Sequence, residues 1–141
     1  MQKKKFNYAV NDFRKCKECK KTFPILNFPT AGKKNGVEYR RHKCSTCFVK
    51  NKKHYRTSQR QWLNNYKEQL ECAKCGYSKK THESFDTAAL QFHHARDNKD
   101  FMVSNGAARG MSKKKLLNEI NKCIVLCCRC HAEIHKYGNE I

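Results

Sequence analysis

The chain has 141 residues, 38% of them hydrophobic, with 31 Lys or Arg against 12 Asp or Glu and a net charge of +19. So polar a composition excludes a large apolar core, and no stretch approaches the roughly 18 consecutive apolar residues of a membrane span. The charge excess points to a polyanion, and because no apolar face opposes a basic one, nucleic acid is the expected partner and a membrane is not.

Ten cysteines in such a chain read as staples. Eight of them form four CxxC pairs: Cys16/Cys19, Cys44/Cys47, Cys72/Cys75 and Cys127/Cys130. The N-terminus has basic residues but no following apolar run, which predicts a cytoplasmic protein with reduced thiols that bind metal. Tetrahedral zinc takes two CxxC pairs; other pairings are open, but joining neighbours closes the shorter loops and is slightly favoured. That predicts one structural zinc on Cys16, Cys19, Cys44 and Cys47 and a second on Cys72, Cys75, Cys127 and Cys130. Cys123 and Cys128 belong to no pair and are expected to pack as small apolar side chains.

Three segments follow from this pairing. Residues 1–50 form an N-terminal four-Cys zinc unit: a knuckle, a Pro-interrupted segment, a Gly-bearing hairpin near residues 33–36, and a second knuckle opening a helix. The pattern resembles a treble-clef zinc motif. Its basic cluster of Lys33, Lys34, Arg40 and Arg41 is expected to grip phosphate. Residues 51–70 lack Gly and Pro and read as a basic linker helix, with Trp62, Leu63, Tyr66 and Leu70 at helical spacing. Ser58 and Gln61 have the spacing of a capping box, and Lys52, Lys53, Arg56 and Arg60 form a second basic run.

Residues 71–141 form the second unit. "AALQFHH" reads as a strand, the segment around Gly106 and Gly110 as a loop, and "SKKKLLNEINKC" as a short helix capped by Ser112, with Leu116, Leu117, Ile120 and Cys123 on its apolar face. "IVLCCRCHAEIHKYG" gives a buried run, a knuckle and a helix stopped near Gly138. On that helix Cys127 and Cys130 lie within about 60° of each other and His131 and His135 within about 40°, so one helix can serve two metals. His93 and His94 are adjacent on a strand and point to opposite faces. One of them can complete a three-His site with His131 and His135 while the other acts as a base for water. His42, His54 and His82 read as ordinary surface or core residues, and Asp97 and Asp100 as solvated loop residues.

"CAKCG", "LQFHH", "NKDF" and "KCIVLCCRCHAEIH", in this order over about residues 72 to 136, resemble the HNH endonuclease family with its ββα-metal active site. The resemblance implies a small, zinc-stabilised α+β fold with a C-terminal HNH module. It assigns His93, His131 and His135 as ligands of a catalytic divalent metal (Mg, Mn, Ni, Co or Zn) and His94 as general base. The family's central Asn, which braces the loop carrying the base, has no counterpart in register. The closest register falls on Lys122, and Asn118 and Asn121 are the candidates for the bracing role. Small HNH restriction enzymes likewise carry an N-terminal four-Cys unit.

The function expected on this resemblance is metal-dependent hydrolysis of DNA phosphodiesters, as sequence-specific double-strand cleavage of restriction type in a bacterial or phage-infected cell. A palindromic site would imply a homodimer. Two other readings stand beside it: a phage or mobile-element nuclease that nicks, homes or cuts branched DNA, and a zinc-stabilised DNA-binding module without activity.

Overall fold

The computed structural model describes residues 5–6, 8–9 and 11–138. It is a small α+β protein with two tetrads of cysteines, and it divides into two compact units, Met1–His54 and Tyr55–Ile141. The division falls inside the long helix α1, Ser45–Lys67.

In the first unit β2 (Phe13–Lys15) pairs antiparallel with β3 (Thr22–Pro24), and the turn between them carries Cys16 and Cys19. β4 (Thr30–Lys34) and β5 (Val37–Arg40) form a hairpin whose backbone turns through Asn35 and Gly36, at φ of 50° and 77°. Two successive positive φ values suit an Asn-Gly pair, and they match the right-handed twist of the flanking strands. β1 (Lys5–Phe6) lies parallel to β5. Cys16, Ile25, Phe28 and Cys44 make up the buried core, with Tyr8 and Phe23 packed against them. So few apolar side chains bury little surface, which is why Cys16 and Cys44 sit in the core itself, with the half-buried Cys19 and Cys47 packed against it.

Helix α1 begins directly after Cys44, whose carbonyl accepts the first helical bond from Phe48 N at 2.8 Å. The second knuckle thus opens the helix as expected, ahead of the expected residue 51, and Ser58 lies exposed in mid-helix rather than at a cap. Once the second knuckle has formed the first turn the nucleation cost has been met, and a Gly- and Pro-free sequence simply extends it.

In the second unit β6 (Leu90–His94) pairs antiparallel with β7 (Cys123–Cys127), with His93 opposite Ile124 and His94 opposite Cys123. Helix α4 (Cys128–Tyr137) follows β7 immediately, Cys127 being its N-cap, and ends at Gly138 in the left-handed conformation, φ 66°. Between the strands lie α2 (Val103–Arg109) and α3 (Lys113–Ile120), the latter capped by Ser112, whose side chain accepts from Lys115 N. Leu63 of α1 packs with Val103, Ala107, Leu116 and Ile120; a second cluster joins Leu90 and Leu126 to Cys72, Cys127 and Cys130.

The loop expected around Gly106 is instead helix α2. A Cβ on Gly106 would lie 2.5 Å from Phe101 Cε2 and 3.0 Å from Leu116 Cδ2, so the glycine serves close packing rather than a turn. Gly110 is the true terminator, at φ 77°. Cys123 packs against the first of these clusters as expected, whereas Cys128 is exposed and packs against neither. Among the described residues no helix is long and apolar enough to cross a membrane.

Candidate functional site

The CxxC pairs join as neighbours. In each tetrad, Cys16, Cys19, Cys44 and Cys47 or Cys72, Cys75, Cys127 and Cys130, the sulfurs all lie within 4.8 Å of one another. Zinc–sulfur bonds of about 2.3 Å would set tetrahedral sulfurs about 3.8 Å apart, and Cys75 Sγ and Cys127 Sγ are at 3.6 Å.

Backbone amides support charge on the sulfurs. Cys44 N donates to Cys16 Sγ at 3.3 Å and Cys130 N to Cys127 Sγ at 3.4 Å. Burial alone would raise the thiols of Cys16 and Cys72, yet amide donors, those of Cys44 and Cys127 foremost, bring each down to about 6. Burial and the neighbouring sulfurs push Cys47 up to about 12 and Cys130 upward as well. Four crowded sulfurs cannot all ionise without a cation between them, so the donor sets fit a thiophilic divalent metal. Each tetrad can hold one structural ion such as zinc.

A third cluster is built from imidazoles. β6 delivers His93 and α4 delivers His131 and His135, one turn apart, with ligating nitrogens within 4.8 Å. The rings stand edge to face, with centroids 5.0 Å (His93–His131), 5.1 Å (His93–His135) and 4.7 Å (His131–His135) apart. His131 Nε2 and His135 Nε2 are 3.2 Å apart. Metal–nitrogen bonds of about 2.0–2.1 Å would separate adjacent nitrogens by about 3.0–3.4 Å, so the triad fits a metal. Burial, and then the neighbouring imidazoles, lower the pKa values of His93 and His131, which favours the neutral, ligating form.

The triad opens into a cleft of about 770 Å³, lined also by His94, Arg96, Asp97, Lys99 and Lys67. Lys67, at the end of α1, donates to the carbonyls of Leu90 (2.7 Å) and Thr87 (3.2 Å), tying the helix to the approach of β6. Its partial burial lowers its pKa.

His94 leaves the strand on the other side. Its Nε2 lies 2.8 Å from Glu119 Oε1, and its side chain is 10% exposed against 1% for Glu119. The same oxygen accepts from Asp100 N at 2.9 Å and Phe101 N at 3.3 Å, while Glu119 Oε2 accepts from Lys122 Nζ at 2.9 Å. Lys122 also donates to Asn98 O at 3.1 Å and Asp100 Oδ2 at 2.7 Å. The loop after His94 is thus braced by Glu119 and Lys122. Asn118 is exposed, Asn121 is the exposed C-cap of α3, and neither side chain hydrogen-bonds the loop among the described residues.

Asp100 is largely exposed, as a solvated loop residue is, and also pairs with Lys122. Sequence reasoning missed Glu119. Its signal was position: it lies on the inward stripe of α3 between Leu116 and Ile120, where a charged residue requires a buried partner.

Among the basic residues expected to meet DNA, Lys33, Lys34, Arg41, Lys52, Lys53 and Arg60 are exposed. Arg41 lies over the Phe48 ring at 4.6 Å. Arg40 is turned inward: it pairs with Glu38 at 3.1 Å and donates to Phe28 O and Tyr8 Oη, so its role is to hold the first unit together. Arg56 is half-buried, and its Nε is enclosed with no hydrogen-bond partner among the described residues.

Comparison of the chain with protein-family models, curated proteins and solved structures finds no match.

Proposed function

We propose that the chain is a metal-dependent DNA endonuclease of the HNH type, cutting double-stranded DNA at a specific sequence in the manner of restriction enzymes. The observation that carries the reading is the convergence of His93, His131 and His135 on one cleft, with His94 the next residue along the same strand and lining the same cleft. A net charge of +19 suits a phosphate-backbone partner.

His93, His131 and His135 would hold one divalent ion, which when bound supplies a Lewis acid that polarises the phosphate and stabilises charge on the departing 3′ oxygen. His94 takes a proton from a water molecule whose oxygen forms the new bond to phosphorus. The bond from phosphorus to the 3′ oxygen breaks, and that oxygen gains a proton from solvent, leaving a 3′-hydroxyl and a 5′-phosphate. Arg96, Lys99 and Lys67 bring positive charge to the cleft walls, where it attracts and orients the phosphate.

The test is to incubate the full chain with plasmid and phage DNA and each of Mg, Mn, Ni, Co and Zn, then sequence the ends. Discrete fragments sharing one site support the proposal, and a palindromic site would point to two copies of the chain acting together. Nicks or branch-selective cuts would replace the restriction reading with a recombination or homing one. Binding to DNA without cleavage under any metal would leave only a zinc-stabilised binding module.

A further inference from the structure

Glu119 is a carboxylate enclosed by protein at 1% exposure, on the face of α3 that also buries Leu116 and Ile120. A carboxylate in such a place is tolerated only when its lone pairs are taken, and here four donors converge on it. Lys122 Nζ occupies Oε2; His94 Nε2 and the amides of Asp100 and Phe101 occupy Oε1.

One cation and two amides already satisfy the charge, so the imidazole is not needed to keep Glu119 buried. The contact matters for the histidine instead. With a lysine ammonium and two amides directed at it, the carboxylate is ionised and can only accept, so Nε2 of His94 must carry the proton it donates. A neutral imidazole protonated on Nε2 has its lone pair on Nδ1, and among the described residues no group hydrogen-bonds that atom. The same carboxylate oxygen anchors the backbone at Asp100 and Phe101, and Lys122 anchors it at Asn98, so the loop that brings Arg96, Asp97 and Lys99 to the cleft is fixed by the group that fixes the ring.

We infer that Glu119 is the positioning residue of this site: it locks His94 in the Nε2–H tautomer, commits Nδ1 as the atom that accepts a proton, and holds the cleft-lining loop in the register that suits that ring. The inference rests on the nuclease reading of the cleft for its consequence but not for its geometry. Where the resemblance places a neutral asparagine brace, this chain divides the task between an acid and a lysine, and the acid reaches the base directly.

The test reads the tautomer first. In full-length, zinc-loaded protein labelled with ¹⁵N-histidine, the His94 signals are identified by their loss in His94→Ala, at a pH where imidazoles are neutral. The expected result is one tautomer, protonated on Nε2 and bare on Nδ1. In Glu119→Gln that single-tautomer signature gives way to a mixture, because an amide can donate as well as accept. Where the wild type cuts DNA, Glu119→Gln lowers kcat at least about tenfold with KM within about twofold, as expected for lost control of a base rather than lost binding.

A wild-type His94 protonated on Nδ1, or divided between tautomers, overturns the inference whether or not DNA is cut, and needs no variant to fold. A folded Glu119→Gln with both zinc ions and the wild-type kcat overturns it too. If DNA is never cut but the tautomer is as expected, the nuclease proposal falls and the positioning of His94 by Glu119 stands.

Discussion

His93 and His94 are neighbours on β6 whose side chains leave the strand on opposite sides, His93 toward His131 and His135 and His94 toward Glu119. On the proposed reading, the alternation of the strand separates the metal-binding nitrogen from the base by one residue. A one-residue slip of β6 against β7 would exchange the two roles, and the register is pinned by Leu90 and Leu126, both fully buried.

That division predicts two different defects. His93→Ala should abolish binding of a divalent ion in the cleft, whereas His94→Ala should leave it intact. Cobalt titration followed by absorbance separates them: the wild type and His94→Ala take up one exchangeable ion beyond the Cys-bound metals, and His93→Ala takes up none. Equal loss of the exchangeable ion in both variants would contradict the assignment.

The cysteine tetrads predict two tightly held zinc ions per chain, released by a thiol-modifying reagent and counted with a colorimetric chelator. Cys16→Ser should lower the count to one and unfold the first unit, whose core is little more than Ile25 and Phe28 beside the sulfurs. Cys72→Ser should lower it to one and disrupt the second unit. A chain that keeps its circular dichroism after both metals are stripped would contradict a structural role.

Much of this was legible in the sequence, and the misses have physical causes. CxxC spacing and short loops identified both tetrads, Asn35–Gly36 marked a hairpin, and Gly138 marked the end of α4. The capping-box spacing of Ser58 and Gln61 marks no helix end, because local capping chemistry carries no information that a helix has already begun. Gly106 misled because glycine serves close approach as well as turns, and only the packing of Phe101 distinguishes the two. Glu119 went unseen because, Lys122 apart, its partners are 25, 19 and 18 residues away, beyond any local pattern. Arg40 was counted as free charge because composition does not reveal which cations the fold turns inward.

Glu119 also predicts a pH dependence of stability. Burial would raise its pKa, but Lys122, His94 and the two amides outweigh burial and bring it from 4.5 to about 2. A carboxyl with a depressed folded pKa contributes stability that is complete above pH 4.5 and is lost as pH falls toward 2. Glu119→Gln should be less stable than wild type by about 1–3 kcal/mol at pH 7. The gap should narrow as pH falls below 4.5, measured over the range in which both proteins still hold their cysteine-bound zinc. Denaturant melts at several pH values measure it; a constant gap would show that Glu119 is not held as a carboxylate.

Gly106→Ala tests the packing behind the loop. The new methyl would meet Phe101 and Leu116, and Phe101 N is one of the donors to Glu119. The expected cost is about 1–3 kcal/mol, well beyond what alanine's better helix propensity returns. A thermal melt equal to or above wild type would show that Phe101 yields freely.

The most direct test of the central claim, a three-histidine metal centre serving His94 in cutting DNA, is single-turnover cleavage of a cut plasmid site at saturating divalent metal. Wild type should cleave, His94→Ala should be slower by about 10²–10⁴-fold with the exchangeable ion still bound, and His131→Ala should fail with that ion lost. Cleavage by His94→Ala at the wild-type rate, or by the wild type in excess chelator that spares the two cysteine-bound zincs, would contradict the account.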